Sequence, residues 1–288
     1  MGLHNHQRSA WSWRRLALPV VLGAVVFLSG CSVELQEQWK RGGMPDPASE
    51  QGEPILQLWQ GAWIAALATG ILVWGLIFWA IWRYRRRSDD EIPVQTRYNL
   101  PLEIFYTIAP IIMVVVFFSH TVRVQDEVLQ DTAEDHVINV VGQQWSWTFN
   151  YTDEDAVTAP NVYVSGTGGN IPTLVMPVDQ TTQFNLYSPD VIHDFGVPSF
   201  LMKMDVIPGK INHYEITPTT TGTFKGKCYE LCGAYHSRML FNVEIVTESE
   251  FEAYLQDLED QGFTSDAPVT GGGEAYTQAG LDSEEGAE

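Results

Sequence analysis

The sequence predicts a membrane-anchored all-β protein: a two-helix transmembrane hairpin followed by an exported β-sandwich or Greek-key β-barrel. Three observations predict it. Two long apolar runs fall in residues 55–124, on either side of a basic stretch. An N-terminal segment reads as an export signal. From about Val137 the pattern changes to short β-branched and aromatic segments punctuated by Pro, Gly and Asn.

The N-terminus carries Arg8, Arg14 and Arg15, then an apolar core from Leu16 to Leu28, then Ser29-Gly30-Cys31. This is the layout of a secretory signal. Its end resembles a bacterial lipobox, which implies cleavage before Cys31 and a diacylglyceryl thioether on that sulfur. The alternative is an uncleaved anchor with an incidental cysteine. Cleavage removes three arginines and no acid, so the formal charge moves from -20 to -23. Residues 31–54 then form an exported N-terminal segment.

Ile55 to Trp82 is nearly all apolar, with Trp59, Trp63, Trp79 and Trp82 near its ends. At about 1.5 Å per residue it crosses a bilayer of roughly 30 Å with some tilt. A second run, Ile104 to Phe118, reaches a full span if Leu100 and Val124 lie near its limits. Arg83, Arg85, Arg86, Arg87 and Arg97 between the runs place that loop in the cytoplasm and both ends of the hairpin outside. A lipid on Cys31 at the outer leaflet agrees. Glu103 opens the second span at the cytoplasmic side. It reads either as a helix-start carboxylate favoured by the macrodipole or as a proton entry point.

The exported part, 125–250, holds several short strand-like segments and no repeat. "SGTGGN" lacks the strand-to-helix setting of a phosphate loop and reads as a turn. "TESEFEAYLQDLEDQGF" reads as a short acidic helix. The tail, 251–288, is rich in Gly, Ser and acids and is expected to be disordered. From Thr247 onward there are twelve acids and no Lys or Arg. The net charge of -20 excludes nucleic acid as a partner. Three cysteines are too few for a disulfide scaffold.

"CYELCGAYHSRM" sets Cys228, Cys232, His236 and Met239 four, four and three residues apart, with Glu230 between the cysteines. Thiolate, imidazole and thioether are soft or borderline donors and select copper. Zinc seldom takes Met. A single blue-copper site uses one Cys, so the second thiol points to two bridged metals. His193, in the turn-rich "SPDVIHDFGVPSF", is the best further imidazole; His213 reads as a strand surface residue and His120 as the end of a span. In an oxidising compartment a Cys228–Cys232 disulfide with incidental His and Met remains an alternative on spacing alone.

These stretches, with "GQQWSWTFNY" and "SPDVIHDFGVPSFLMKMDVIPG", together resemble subunit II of the haem–copper cytochrome c oxidases of the aa3 type, in a bacterial lipoprotein form. The likeness covers about Ile55 to Val246, and the C-x-E-x-C-x3-H-x2-M pattern is highly specific. It implies a cupredoxin-like barrel holding the dinuclear CuA centre. Cys228 and Cys232 are then the bridging ligands, His193 and His236 bind one copper each, and Met239 and the Glu230 carbonyl complete the two spheres. The Glu230 side chain is implied at a magnesium ion shared with subunit I. Trp145 matches the family's electron-entry indole and is expected to be exposed, and Trp147 is expected in the core. Ser146 stands where the family commonly has Tyr, so the resemblance implies no contact by that ring here. Glu103 matches the acid at the mouth of the K proton channel, and Asp190 an acid near the donor-docking face.

The implied function is that of an oxidase subunit in the bacterial plasma membrane. It takes electrons from a c-type cytochrome, soluble or membrane-held in a complex with the upstream reductase. It passes them to haem in subunit I, where oxygen is reduced and protons are pumped. Other oxidase subunits are implied partners. A copper-binding or copper-delivery membrane lipoprotein is the alternative from a different class. A copper-free quinol oxidase subunit is disfavoured by the intact ligand set. A nitrous oxide reductase domain is disfavoured because no large catalytic domain is present.

Overall fold

The computed structural model describes residues 33–88, 91–92, 94–167 and 169–271. The signal segment, its lipobox and Cys31 lie outside the described residues. The chain divides into two units, 1–44 and 45–288. In the first, α1 (Val33–Lys40) is a short helix with no buried residue.

The second unit begins with Pro45. Its first residues add to the β-domain: Ala48 and Ser49 are buried, and the Ala48 N–H donates to the Ser199 carbonyl at 2.7 Å. Helix α2 (Gly52–Arg83) and helix α3 (Leu100–Val128) follow. They are 32 and 29 residues long, each with a window of mean hydropathy 2.2 that is not buried within the protein. Each is longer than its apolar run, because the helical ladder continues into polar residues at the outer ends. Helix α3 is capped reciprocally: the Asn99 side chain accepts from the Leu102 N–H at 3.3 Å, and Glu103 accepts from the Asn99 N–H at 3.0 Å. Thr132, just beyond α3, donates its backbone N–H to Glu215 on the β-domain. Both outer ends of the hairpin are thus tied to the domain they carry.

The domain is a two-sheet Greek-key structure of the cupredoxin kind. One sheet runs β11-β3-β2-β1-β5-β8, with β1 (His136–Gln143), β2 (Ser146–Thr152), β3 (Asn161–Ser165), β5 (Thr182–Tyr187), β8 (Asn212–Ile216) and β11 (Thr264–Ser265). The other runs β4-β10-β9-β6-β7, with β4 (Thr173–Pro177), β6 (His193–Val197), β7 (Met202–Val206), β9 (Gly222–Cys228) and β10 (Leu240–Val246). Most pairs are antiparallel; β1–β5 and β4–β10 are parallel, as long Greek-key connections allow. Aromatic rings from both sheets fill the core. Phe195 of β6 stacks on Phe241 of β10 at 4.8 Å, and the Trp147 ring of β2 meets both edge-on at 5.5 Å. The alternation of β5, buried at every second residue, is the period-two pattern of a strand with one face inward.

The acidic helix forms as α4 (Glu248–Asp260), started by a capping box between Thr247 and Glu250. It buries Phe251, Leu255 and Leu258 against the sandwich. Thr264 and Ser265 then pair with β3, and Asn150 exchanges two hydrogen bonds with the Val269 backbone. The expectation of a disordered tail from 251 is therefore corrected for 251–271. Three apolar residues at helical spacing outweighed the acidic composition.

Candidate metal centre

The site occupies one end of the two sheets. His193 opens β6, Cys228 closes the neighbouring β9, and a tight loop carries Cys232, a 3-10 turn at His236–Arg238, and Met239 before β10. The β6–β9 ladder, with Phe195 opposite Cys228, fixes the His193 strand beside the Cys228 strand. His193 and Met239 have no exposed surface, and both cysteines are buried.

The donor atoms face one another. Cys228 Sγ lies 3.8 Å from Cys232 Sγ and 3.9 Å from His193 Nδ1. Cys232 Sγ lies 3.6 Å from His236 Nδ1 and 3.8 Å from Met239 Sδ. The Glu230 carbonyl oxygen is 3.2 Å from Cys228 Sγ. Both thiols are free, and their separation far exceeds the roughly 2.05 Å of a disulfide. Two sulfurs at the centre, with an imidazole beside each and a thioether and a carbonyl at opposite ends, fit a pair of soft metal ions. His193, Cys228 and Cys232 alone, among the described residues, form a metal-capable cluster of His, Cys and carboxylate groups.

Electrostatics favour a thiolate here. Cys228 is pulled well below the ordinary thiol range, first by the hydrogen bond from Cys232 and against burial, with help from His193 and the backbone N–H groups of Asp194 and Glu230. Cys232 is pushed up, first by that same shared bond and then by burial. His193 is opposed by burial but raised overall by Asp190 and Cys228.

Asp190 has a role that the sequence reading missed. Its Oδ1 is 2.8 Å from His193 Nε2, which leaves Nδ1 turned to the sulfur. It also accepts from the backbone N–H groups of Gln144 at 2.7 Å and Val191 at 2.6 Å. Burial opposes its charge, yet His193 and these donors hold its carboxyl below the usual range. The signal was present as an Asp three residues before the histidine.

The Q-W-x-W stretch clamps the ligand loop. Trp145 Nε1 donates to the Cys232 carbonyl at 3.1 Å, and Gln144 Nε2 reaches the same oxygen at 2.7 Å. Trp147 Nε1 donates to the Met239 carbonyl at 3.4 Å. Trp147 is fully buried, as a core aromatic should be. Trp145 is only 7% exposed, which corrects the expectation of an exposed indole. The half-exposed Tyr235 ring covers it edge-on at 5.0 Å. Gly233, at φ 123°, leaves room for this packing, since a Cβ there would lie 2.9 Å from Trp145 Cζ2.

The remaining predicted residues lie elsewhere. Glu230 is exposed, and it is its backbone carbonyl that lies against the Cys228 sulfur. Glu103 sits in the first turn of α3, partly buried, near the opposite end of the hairpin from the segments that join the β-domain. Cys31 is outside the described residues.

A family model described as cytochrome c oxidase subunit II, periplasmic domain, matches residues 136–246, and one described as its transmembrane domain matches residues 37–122. A probable cytochrome c oxidase subunit 2 of Streptomyces coelicolor is 44% identical, over 89% of this chain and 90% of that one. The cytochrome c oxidase subunit 2 of Mycobacterium bovis is 35% identical, over 84% of this chain and 81% of that one. Among solved structures, the periplasmic domain of subunit II of the Bradyrhizobium japonicum cytochrome oxidase is 28% identical, covering 46% of this chain and 99% of its own, with a TM-score of 0.41. With two spanning helices, a β-domain on the outer face and a sulfur-centred cluster that fits copper, the chain belongs to the cytochrome c oxidase subunit II family, the membrane-anchored subunits of an oxidoreductase complex.

Proposed function

We propose that this chain receives electrons from a c-type cytochrome at a dinuclear CuA centre and delivers them to the haem of subunit I, where oxygen reduction is coupled to proton pumping. The observation that carries this reading is the convergence of three side-chain donors, His193, His236 and Met239, and one carbonyl on two cysteine sulfurs 3.8 Å apart. Cys228, Cys232, His193, His236, Met239 and the Glu230 carbonyl would hold the two coppers, which when bound would supply one-electron transfer. The protein's part is to keep the donors in place: Asp190 orients His193, and Trp145, Gln144 and Trp147 hold the carbonyls of the ligand loop. Burial excludes water and limits rearrangement between redox states.

Trp145 is the entry residue for electrons on this reading, reached through its Tyr235 cover instead of from open solvent. The Glu230 side chain, exposed on this chain, is assigned to a magnesium ion shared with subunit I. Glu103 is assigned to proton entry on the cytoplasmic side. The mature chain is assigned a lipid on Cys31. A soluble or membrane-held c-type cytochrome, the latter in a complex with the reductase, is the donor.

The deciding experiment is metal analysis of the purified full chain in detergent, with visible and EPR spectra. Two coppers per chain, a purple colour and an EPR signal from one electron shared over both metals are expected. One copper per chain, or a Cys228–Cys232 disulfide in copper-replete protein, overturns the proposal. Turnover driven by a reduced c-type cytochrome in the assembled complex then separates an oxidase subunit from a copper-delivery protein.

A further inference from the structure

The geometry points to Asp194 and Lys203 as a positioning pair for the copper loop, in which the buried Asp194 carboxylate biases the centre toward its oxidised state. This rests on the copper reading above.

Asp194 directly follows His193 in β6, and its side chain is 1% exposed. Its Oδ2 is 2.6 Å from Lys203 Nζ on the adjacent strand β7, whose side chain is 56% exposed. The other oxygen, Oδ1, is buried and has no hydrogen-bond partner. The Asp194 backbone also holds the loop: its carbonyl accepts from the Tyr229 N–H at 3.1 Å.

Lys203 extends the connection. Its Nζ lies 5.8 Å from the Tyr229 ring centroid, and Lys227 Nζ lies 4.7 Å from the same ring. Gly196 makes this packing possible. A Cβ there would lie 2.7 Å from Tyr229 Cδ2 and 2.8 Å from Lys203 Cβ. The chain Asp194–Lys203–Tyr229 ends one residue before Glu230, whose carbonyl faces Cys228 Sγ.

The charges of the pair do not cancel at the metal site. Asp194 is in the low-dielectric interior next to a ligand, where a charge acts strongly. The Lys203 head is half in water and is screened there. The pair's own contribution at His193 and Cys228 is therefore negative. Adding an electron to the centre becomes harder, and the oxidised form is favoured. A purely structural strut would have no such sign.

The test is a redox titration of the copper-loaded full chain in detergent, with copper content and EPR measured on the same samples. Asp194→Asn is expected to keep both coppers and favour the reduced form. The ratio of reduced to oxidised sites at a fixed poise should rise at least about tenfold, which is about 59 mV for a one-electron couple. Asp194→Glu should restore wild-type behaviour. Lys203→Met, which leaves the anion without its cation, should move the potential the other way. If the two charge-removing variants keep copper and shift the potential in one direction, or not at all, the inference is wrong. If Asp194→Asn loses copper, Lys203→Met must still lower the potential, and an unchanged value overturns the inference. Failure of the copper reading itself looks different, because the wild-type chain would then hold no copper pair.

Discussion

The sulfur end of the β-domain and the cytoplasmic mouth of α3 are both assigned functional residues, but they are built in opposite ways. At the sulfur end several of the donor residues are supported by another element. Asp190 holds His193, Trp145 and Gln144 hold the Cys232 carbonyl, and Trp147 holds Met239. At the mouth of α3, the partly buried Glu103 accepts from the Asn99 N–H of its own helix start. Every donor proposed for the first region belongs to this chain. The second is proposed as one part of a site that a partner completes. A change at the sulfur end should therefore show in the isolated chain, and a change at Glu103 only in the assembled complex.

The largest expected effect follows from removing a bridge. Cys228→Ser should abolish the two-copper centre, because a single remaining thiolate cannot bind both metals in the same way. Copper content and EPR of the isolated chain measure this, and an unchanged spectrum would break the comparison at its strongest point.

Next is the clamp. Trp147→Ala should cost about 3–5 kcal/mol in unfolding free energy, as for other buried aromatics, and it also removes the donor to the Met239 carbonyl. Trp145→Gln should keep the copper spectrum, because Gln144 still holds the Cys232 carbonyl. Electron transfer from a reduced donor, followed by stopped flow, should fall strongly, with donor affinity changed less because rim charges mainly set association. Loss of copper in Trp145→Gln would make its indole part of the scaffold instead of the path.

Glu103→Gln sharpens the other side of the comparison. Glutamine retains the cap on Asn99, so helix α3 and copper content should be unaffected while turnover of the complex slows. Full turnover across pH would leave Glu103 with only its capping role.

The smallest effect is a pH dependence remote from both sites. His136, in β1, is opposed by burial but raised overall by Glu154 and Gln180. Its Nδ1 is 2.8 Å from Glu154 Oε2, and its ring meets Phe251 of α4 edge-on at 4.9 Å. Because the folded pKa lies above the unfolded value near 6.5, its stabilisation is fully present below that value. It is lost as pH rises through the folded pKa. Melting temperatures from pH 6 upward should fall more for the wild type than for His136→Gln. Parallel curves would remove His136 from the account.

The sequence by itself determined what depends on composition along the chain. Two apolar runs with arginines between them specify a hairpin and its orientation, because a bilayer sorts segments by length, polarity and flanking charge. The Cys228–Met239 spacing specified the donor types, because a short loop brings its own residues together whatever the fold around it. Tertiary structure decided what depends on groups far apart in sequence. Asp190 turned toward His193, Trp145 was covered by Tyr235, and Asp194 was paired with Lys203 only once β6, β7 and the ligand loop were packed side by side. The C-terminal segment shows the same division. Its acids describe a solvated face, while the docking of Phe251, Leu255 and Leu258 and the short pairing at Thr264 exist only because the sandwich presents a surface for them. Burial and hydrogen-bond partners are properties of a packed interior, and a linear pattern does not contain them.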